Sequence, residues 1–242
     1  GSLACGDTGA GRMLEPEEIV SRAELFLHGK PLAGRRILIT AGPTYEAIDP
    51  VRGITNRSSG RQGYAIAREA ALRGAAVTLI SGPVSISAPF GVTRISVDSA
   101  SAMREEVLKH TPDTDAFISV AAVSDWRPEQ VSDQKIKKDG KAVTLRLTEN
   151  PDILSEVGHL GAGRPAVVIG FAAETENIIS YASKKLRAKA ADLIVANNAS
   201  QALGSDDNDA VFVTAAGAEP LGPGPKSRVA EAILDRLASL LV

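Results

Sequence analysis

From Arg36 onward, short apolar runs and amphipathic segments take turns along the chain. Residues 37–40, 76–80, 116–120, 166–171, 193–196 and 210–214 read as strands, whereas 62–73, 100–110, 176–190 and 226–241 space their apolar residues as helices do. This alternation predicts an α/β domain whose right-handed crossovers build a mostly parallel sheet with helices on both faces. Sheets of that kind bind ligands beyond the C-terminal ends of their strands. Ahead of the alternation, residues 16–28 predict a helix with Ile19, Ala23, Leu25 and Phe26 along one side and Glu17 and Glu18 near its positive end. Residues 1–14 are small and glycine-rich without an apolar period and read as a disordered leader. The expected division is thus a leader (1–14), a linker helix (15–33) and one main domain (34–242).

The alternation breaks over residues 131–149. Lys135-Ile136-Lys137-Lys138 and residues 142–148 flank Asp139-Gly140, a dipeptide suited to a two-residue hairpin turn. In the second half Leu145 and Leu147 share one face, and Thr144, Arg146 and Thr148 take the other. A two-stranded ribbon is marginal alone in water, so this one is expected to pack on something, for which a second protomer is suited.

Composition narrows the function. With 242 residues, 44% of them hydrophobic, the chain can bury a substantial core. A formal net charge of −2 argues against a general binder of nucleic acid or membrane surfaces, so any polyanion is small and bound locally. The longest apolar runs, such as 166–169 and 193–196, are too short to span a bilayer. One cysteine, Cys5, cannot form an internal disulfide, which fits a reducing compartment. A soluble, cytoplasmic protein is expected.

Candidate chemistry gathers in the turns after the strands. Residues 56–63 read N-R-S-S-G-R-Q-G and open a helix, yet the glycine spacing of a dinucleotide fingerprint and the Walker pattern are both absent. What remains is Ser58-Ser59-Gly60 at a helix N-terminus, either an anion site or an ordinary serine cap. The twenty or so residues between Thr40 and that helix form the kind of long loop that is usually functional or disordered. A-A-V-S-D-W, containing Ala121, Ala122 and Asp125, follows one strand and would let a nucleotide approach the backbone or simply make a capped turn. G-F-A-A-E-T carries Phe171, a base neighbour or a core aromatic, and A-N-N-A-S carries Asn197, a reader of base or sugar or a turn residue. Lys135, Lys137 and Lys138 crowd into four residues, and Lys185 and Lys189 lie one helical turn apart. These are cations for a triphosphate, or else a protected edge strand and a helix C-terminus complemented by charge.

Taken in order, G-P-T-Y-E-x-I-D-P-V-R-x-I-T-N-R-S-S-G-x-x-G, A-A-V-S-D-W, K-I-K-K, N-P-D-I, G-F-A-A-E-T and D-L-I-V-A-N-N resemble the bacterial phosphopantothenoylcysteine synthetases of coenzyme A biosynthesis. The leader A-C-G-D-x-G-x-G-R-M-L-E-P resembles the end of the decarboxylase domain fused ahead of many of them, with Cys5 a catalytic residue of that other half. The resemblance implies a Rossmann-like fold, a homodimer, and a two-step ligation. The carboxylate of 4′-phosphopantothenate attacks CTP to release pyrophosphate and form an acyl-cytidylate, and L-cysteine then displaces CMP. It further implies Asn56 and Lys135 as catalytic residues. Arg52, Asn56 and Ala122 would lie at the phosphopantothenate or the intermediate. Gly42, Ser58, Ser59, Gly60, Ala121, Asp125, Lys135, Lys137, Lys138, Asn150, Pro151, Asp152, Ile153, Phe171, Lys185, Lys189 and Asn197 would lie around the nucleotide. Mg²⁺ would be held mainly by the triphosphate, with Asp125 a candidate ligand, and FMN would belong to the decarboxylase half alone. Trp126 departs from the tyrosine or phenylalanine expected there, though an aromatic is kept. The residues leave CTP and ATP undistinguished. A nicotinamide-dependent reductase and a non-catalytic nucleotide-binding module are the competing readings; the first lacks its glycine fingerprint and an acidic residue closing the second strand.

Overall fold

The computed structural model describes Met13, residues 16–138, Gly140 and residues 142–198 and 207–241. Cys5, nearly all of the leader and Asp139 lie outside the described residues.

The apolar runs pair into one eight-stranded sheet. In chain order its strands are β1 (Arg36–Ala41), β4 (Ala76–Ser81), β5 (Val92–Ser96), β6 (Ala116–Ser119), β9 (Val167–Glu174), β10 (Leu193–Asn198), β11 (Asp207–Thr214) and β12 (Gly217–Pro225). They lie side by side as β12-β11-β10-β9-β6-β1-β4-β5. β5, β4, β1, β6, β9 and β10 are mutually parallel, and β11 and β12 close one edge antiparallel. The sheet therefore winds one way from β1 to β4 and β5 and the other way from β1 to β6, β9 and β10. The order reverses between β1 and β6, which makes their C-terminal ends the switch point of a Rossmann-like sheet.

Side-chain alternation along β1 shows how two cores form. Ile37, Ile39 and Ala41 pack with Tyr64, Ile66, Ala67 and Ala70 of α2 (Arg61–Leu72) and with Val229, Ile233 and Leu237 of α6 (Lys226–Leu240). Leu38 points to the opposite face, among Met103 and Val107 of α3 (Ala100–His110), Val157 of α4 (Ile153–Gly158), Ala182 and Leu186 of α5 (Ile178–Ala188), and Phe117 of β6. Period-two strands sandwiched between amphipathic helices account for both layers. Gly63 lets α2 approach closely, since a Cβ there would lie 2.6 Å from the Ala41 Cβ.

Several elements differ from the sequence reading. The loop after β1 contains a small hairpin of β2 (Tyr45–Ala47) and β3 (Gly53–Thr55). An antiparallel ribbon exists, but it joins β7 (Trp126–Pro128) to β8 (Leu147–Glu149), with Trp126 opposite Glu149. Residues 135–138 and 142–146 are not strands. The Asp-Gly signal was local, whereas residues 126–128 and 147–149 are brought together by backbone pairing across a long connection. Leu145 and Leu147 are 40% and 46% exposed. Helix α1 (Pro16–Leu27) forms, and its apolar side leaves Phe26 88% exposed. α1 is tied down by an ion pair from Arg68 to Glu24 and by Arg22 stacked over Phe90. Among the described residues no helix is long and apolar enough to cross a membrane.

Candidate functional site

Backbone bonds extend β1 and β6 past their ends as a pair. The buried Thr40 Oγ1 accepts the N–H groups of Val120 and Ala121 at 3.2 and 3.3 Å, and Thr44 Oγ1 accepts that of Ser124 at 3.0 Å. The Ala122 N–H donates to the Gly42 carbonyl at 2.9 Å, and the Thr44 N–H donates to the Ala122 carbonyl at 3.3 Å. Asn56 adds its side-chain amide to that same Ala122 carbonyl at 2.9 Å. Three distant stretches of sequence thus meet at the switch point.

Helix α2 opens beside them. Its N-cap is Gly60, at φ 76°, with no side-chain oxygen capping the first turn, so the serine cap weighed from the sequence does not form. Ser58 instead turns its hydroxyl to accept the Gly60 N–H at 3.3 Å. A left-handed glycine at the cap lets the chain enter the helix with its first-turn N–H groups facing outward, an arrangement complementary to an anion.

The opposite wall comes from α4 and α5. Asn150 is fixed by three partners: its amide donates to the Ser124 carbonyl at 2.8 Å, its N–H to the Asp125 carbonyl at 2.8 Å, and its Oδ1 accepts from Arg127 at 3.1 Å. Asp152 caps α4 by accepting the Ser155 N–H at 2.8 Å, and its other oxygen pairs with Lys189. Burial pushes the Asp152 pKa up, but the Lys189 ammonium and the cap bond outweigh it and leave the carboxyl below its ordinary value. Burial pushes the Lys185 pKa down, against the opposing pull of Glu174, Asp152 and Asp125, while neighbouring Lys189 lowers it further. An arriving anion would relieve that mutual repulsion.

These walls enclose a cavity of about 930 Å³. Gly42, Asn56, Ser58, Ser59, Gly60, Ala121, Ala122, Asp125, Asn150, Pro151, Asp152, Ile153, Phe171, Lys185, Lys189 and Asn197 all line it. Arg52, Lys135, Lys137 and Lys138 do not. Arg52 is bound to Asp49, and the lysine segment lies against the turn that holds both. Among the described residues no cluster of three or more histidine, cysteine or carboxylate side chains is arranged to hold a metal ion.

The cavity also takes in Gln62, Asn208 and Lys226, which the sequence reading did not assign to a site. Asn197, 8% exposed, donates to Asn208 Oδ1 at 2.9 Å; Asn208 donates to Gln62 Oε1 at 3.4 Å, and Gln62 to the Lys226 carbonyl at 3.1 Å. This run of amides fastens the starts of α2 and α6 to β10 and β11. Only the antiparallel register placing Asn197 opposite Ala210 brings Asn208 within reach, and local sequence does not carry that register.

Fold and cavity together define a doubly wound α/β domain with a polar, partly cationic cleft at its switch point. The family model described as the DNA/pantothenate metabolism flavoprotein C-terminal domain matches residues 32–241, and the chain belongs to that family. It is similar to the coenzyme A biosynthesis bifunctional protein CoaBC of Vibrio vulnificus, 47% identical over 246 residues that cover 100% of this chain and 61% of the relative. The protein of the same name from Bacillus subtilis is 50% identical over 202 residues, covering 82% of this chain and 49% of that one. The chain thus spans about half to three-fifths of the length of these relatives. A crystal structure of the C-terminal domain of a CoaBC protein matches with a TM-score of 0.76 and 41% identity over 88% of this chain and 98% of that one.

Proposed function

We propose that this domain joins 4′-phosphopantothenate to L-cysteine at the expense of CTP, through an acyl-cytidylate, in coenzyme A biosynthesis. The observation that carries the reading is the meeting in one cavity of Asn56, the Ser58–Gly60 turn, Ala122, Asn150, Phe171, Lys185 and Lys189, which come from five separate stretches of sequence. A volume of about 930 Å³ suits a nucleotide with part of a second substrate. Kinship with proteins named for coenzyme A biosynthesis supports placing the reaction in that pathway.

In this reading the outward N–H groups of α2 and the hydroxyls of Ser58 and Ser59 hold phosphate. Lys185 and Lys189 offset triphosphate charge, Asn150 to Ile153 and Phe171 surround the cytidine, and Gly42 and Ala121 admit the nucleotide close to the backbone. Asn197, braced by Asn208, faces the same pocket from β10. Asn56 and Ala122 enclose the acyl-phosphate group. Lys135, with Lys137 and Lys138 beside it, stabilises the charge that develops as carboxylate and phosphate meet. Arg52, with 48% of its side chain exposed, is the candidate for the phosphopantothenate phosphate. Asp125 is a cavity carboxylate that fits Mg²⁺ held otherwise by phosphate oxygens, where the ion would offset charge on the leaving pyrophosphate. The exposed apolar side chains of Trp126, Val131, Val143, Leu145 and Leu147 suit burial against a second copy in a homodimer. A decarboxylase half with FMN would precede this domain in the full-length cytoplasmic protein.

A pyrophosphate-release assay with each nucleotide, with and without phosphopantothenate and cysteine, tests the proposal. Release with CTP that requires phosphopantothenate, and amide product that requires cysteine, is the expected result. Nucleotide binding without turnover would make the domain a binding module, and oxidation of added NADPH would make it a reductase.

A further inference from the structure

Ile136 stands between Lys135 and Lys137, and both of its backbone polar groups end on one ion pair. Its N–H donates to Asp49 Oδ2 at 3.2 Å, and its carbonyl accepts from Arg52 Nη2 at 2.9 Å. Asp49 Oδ1 already accepts the N–H groups of Val51 and Arg52, each at 2.9 Å, which is enough to close the turn after β2. Its Oδ2 accepts Arg52 Nε at 3.0 Å and Nη2 at 2.5 Å. The Asp49 side chain has no exposed surface. Four residues earlier in the same segment, the Ser132 N–H donates to the Ile48 carbonyl at 3.0 Å.

A turn of this size does not need a buried carboxylate with five N–H partners. Burying a charge is costly, and the cost is offset here by bonds that reach a segment more than eighty residues away. We infer that Asp49 and Arg52 form a clasp that sets the position of the lysine segment, which makes Asp49 a positioning residue for the step that uses Lys135. The peptide units on either side of Ile136 are each gripped, one by its N–H and the other by its C=O, so the Cα atoms of the flanking lysines are held where the flexible side chains can reach a fixed point. The arrangement is not sensitive to ordinary pH changes: the Arg52 guanidinium, helped by the backbone donors and opposed by burial, holds the Asp49 carboxyl well below the usual carboxylate range.

The inference rests on the ligation reading for the step it serves, and the clasp itself is tested separately. Amide hydrogen exchange at Ile136 is measured in the wild type, Asp49→Asn and Arg52→Lys, alongside nucleotide affinity and the turnover of pyrophosphate release. Exchange at Ile136 should quicken about tenfold or more in both variants, the loss of a charge-assisted bond being worth that much, with little change in the core strands. Turnover should fall about tenfold to a hundredfold while nucleotide affinity changes less than about twofold, because misplacing a reacting group by about 1 Å costs rate rather than binding. Lysine in place of Arg52 keeps the charge without the fork and should not rescue. If Asp49→Asn does not fold, Arg52→Lys, which keeps the carboxylate and the two backbone bonds that close the turn, decides. An unchanged Ile136 exchange rate, preserved turnover with Ile136 released, or a loss confined to the phosphopantothenate Michaelis constant would each overturn the clasp; the last would make Arg52 a substrate ligand only. A wild type that releases no pyrophosphate sinks the ligation reading instead, and the exchange arm still decides whether the clasp exists.

Discussion

Asn56 spends its amide donor on the Ala122 carbonyl at 2.9 Å, so its side chain bridges the two loops that form the switch point. Aspartate there keeps the shape but sets a carboxylate against a carbonyl oxygen, replacing attraction with repulsion. We expect Asn56→Asp to retain some release of pyrophosphate, since the α2 turn and the lysines remain, while forming little amide, so that acyl-cytidylate accumulates. Mass spectrometry of mixtures quenched before and after cysteine addition reads this directly, and equal slowing of both half-reactions would reduce Asn56 to a brace between loops. Lys135→Ala should lower the rate of the first half-reaction by roughly a hundredfold with nucleotide binding preserved, as removal of a group that acts on transition-state charge does. A raised Michaelis constant with normal turnover would make Lys135 a binding residue. Asp49 carries a pH prediction. Because folding lowers its pKa, its contribution to stability is complete above the ordinary carboxylate value and drains away as pH falls from there towards the lower folded value. Asp49→Asn removes that contribution, so urea midpoints followed from about pH 5 to pH 2 should fall less steeply than in the wild type, by up to about one proton. Parallel curves for the two proteins would mean that folding leaves the Asp49 pKa unshifted.

At the scale of elements, α2 must lie tightly on β1 for its uncapped start to face the cavity. A Cβ at Gly63 would sit 2.6 Å from the Ala41 Cβ and 3.3 Å from the Ala41 Cα, so Gly63→Ala forces the helix away from the strand. We expect a loss of about 1–3 kcal/mol in denaturant unfolding together with weaker nucleotide binding; full stability with normal affinity would show that the close packing is dispensable. Nothing in a sequence reading announces that contact, although the elements making it were legible. Helix α3 falls where helical spacing put it, at residues 100–110, and the buried parallel strands announce themselves as apolar runs because both of their faces are covered. The edges were not legible. β12 holds three prolines and three glycines among nine residues, tolerable only because an edge strand needs few of its N–H groups, and β5 at the other edge is only partly buried. For the site, motifs at strand ends pointed to Ala121, Ala122, Asp125, Phe171 and Asn197 because those ends converge in any doubly wound sheet, whereas Gly42 and Asn150 to Ile153 came only from the family resemblance. The contact of Asp49 with Ile136 and the amide run through Asn208 and Gln62 depend on tertiary approach between remote segments, for which the chain carries no local sign.

For the whole molecule, the cavity is built from the ends of β1, β6, β9 and β10 and the starts of α2, α4 and α6, so a ligand in it touches both core layers at once. Binding there should stabilise the sheet as a unit rather than a single loop. A nucleotide at about a hundred times its dissociation constant adds about 2.7 kcal/mol to folding. In a domain of this size each kcal/mol moves the melting temperature by about 2–4 °C, so saturating CTP should raise it by roughly 5–10 °C. The identity of the base then becomes measurable without turnover. If Asn150 to Ile153 and Phe171 surround a cytosine, ATP at the same concentration should give a clearly smaller shift, and pyrophosphate alone a smaller one still, reflecting only the α2 turn, Lys185 and Lys189. Replacing Lys185 with alanine should remove most of the pyrophosphate shift while leaving a residual difference between CTP and ATP, because charge and base are read by different walls of the cavity. Equal shifts from CTP, ATP and pyrophosphate would show that the cavity recognises phosphate alone, and the choice of nucleotide would then have to come from residues outside it.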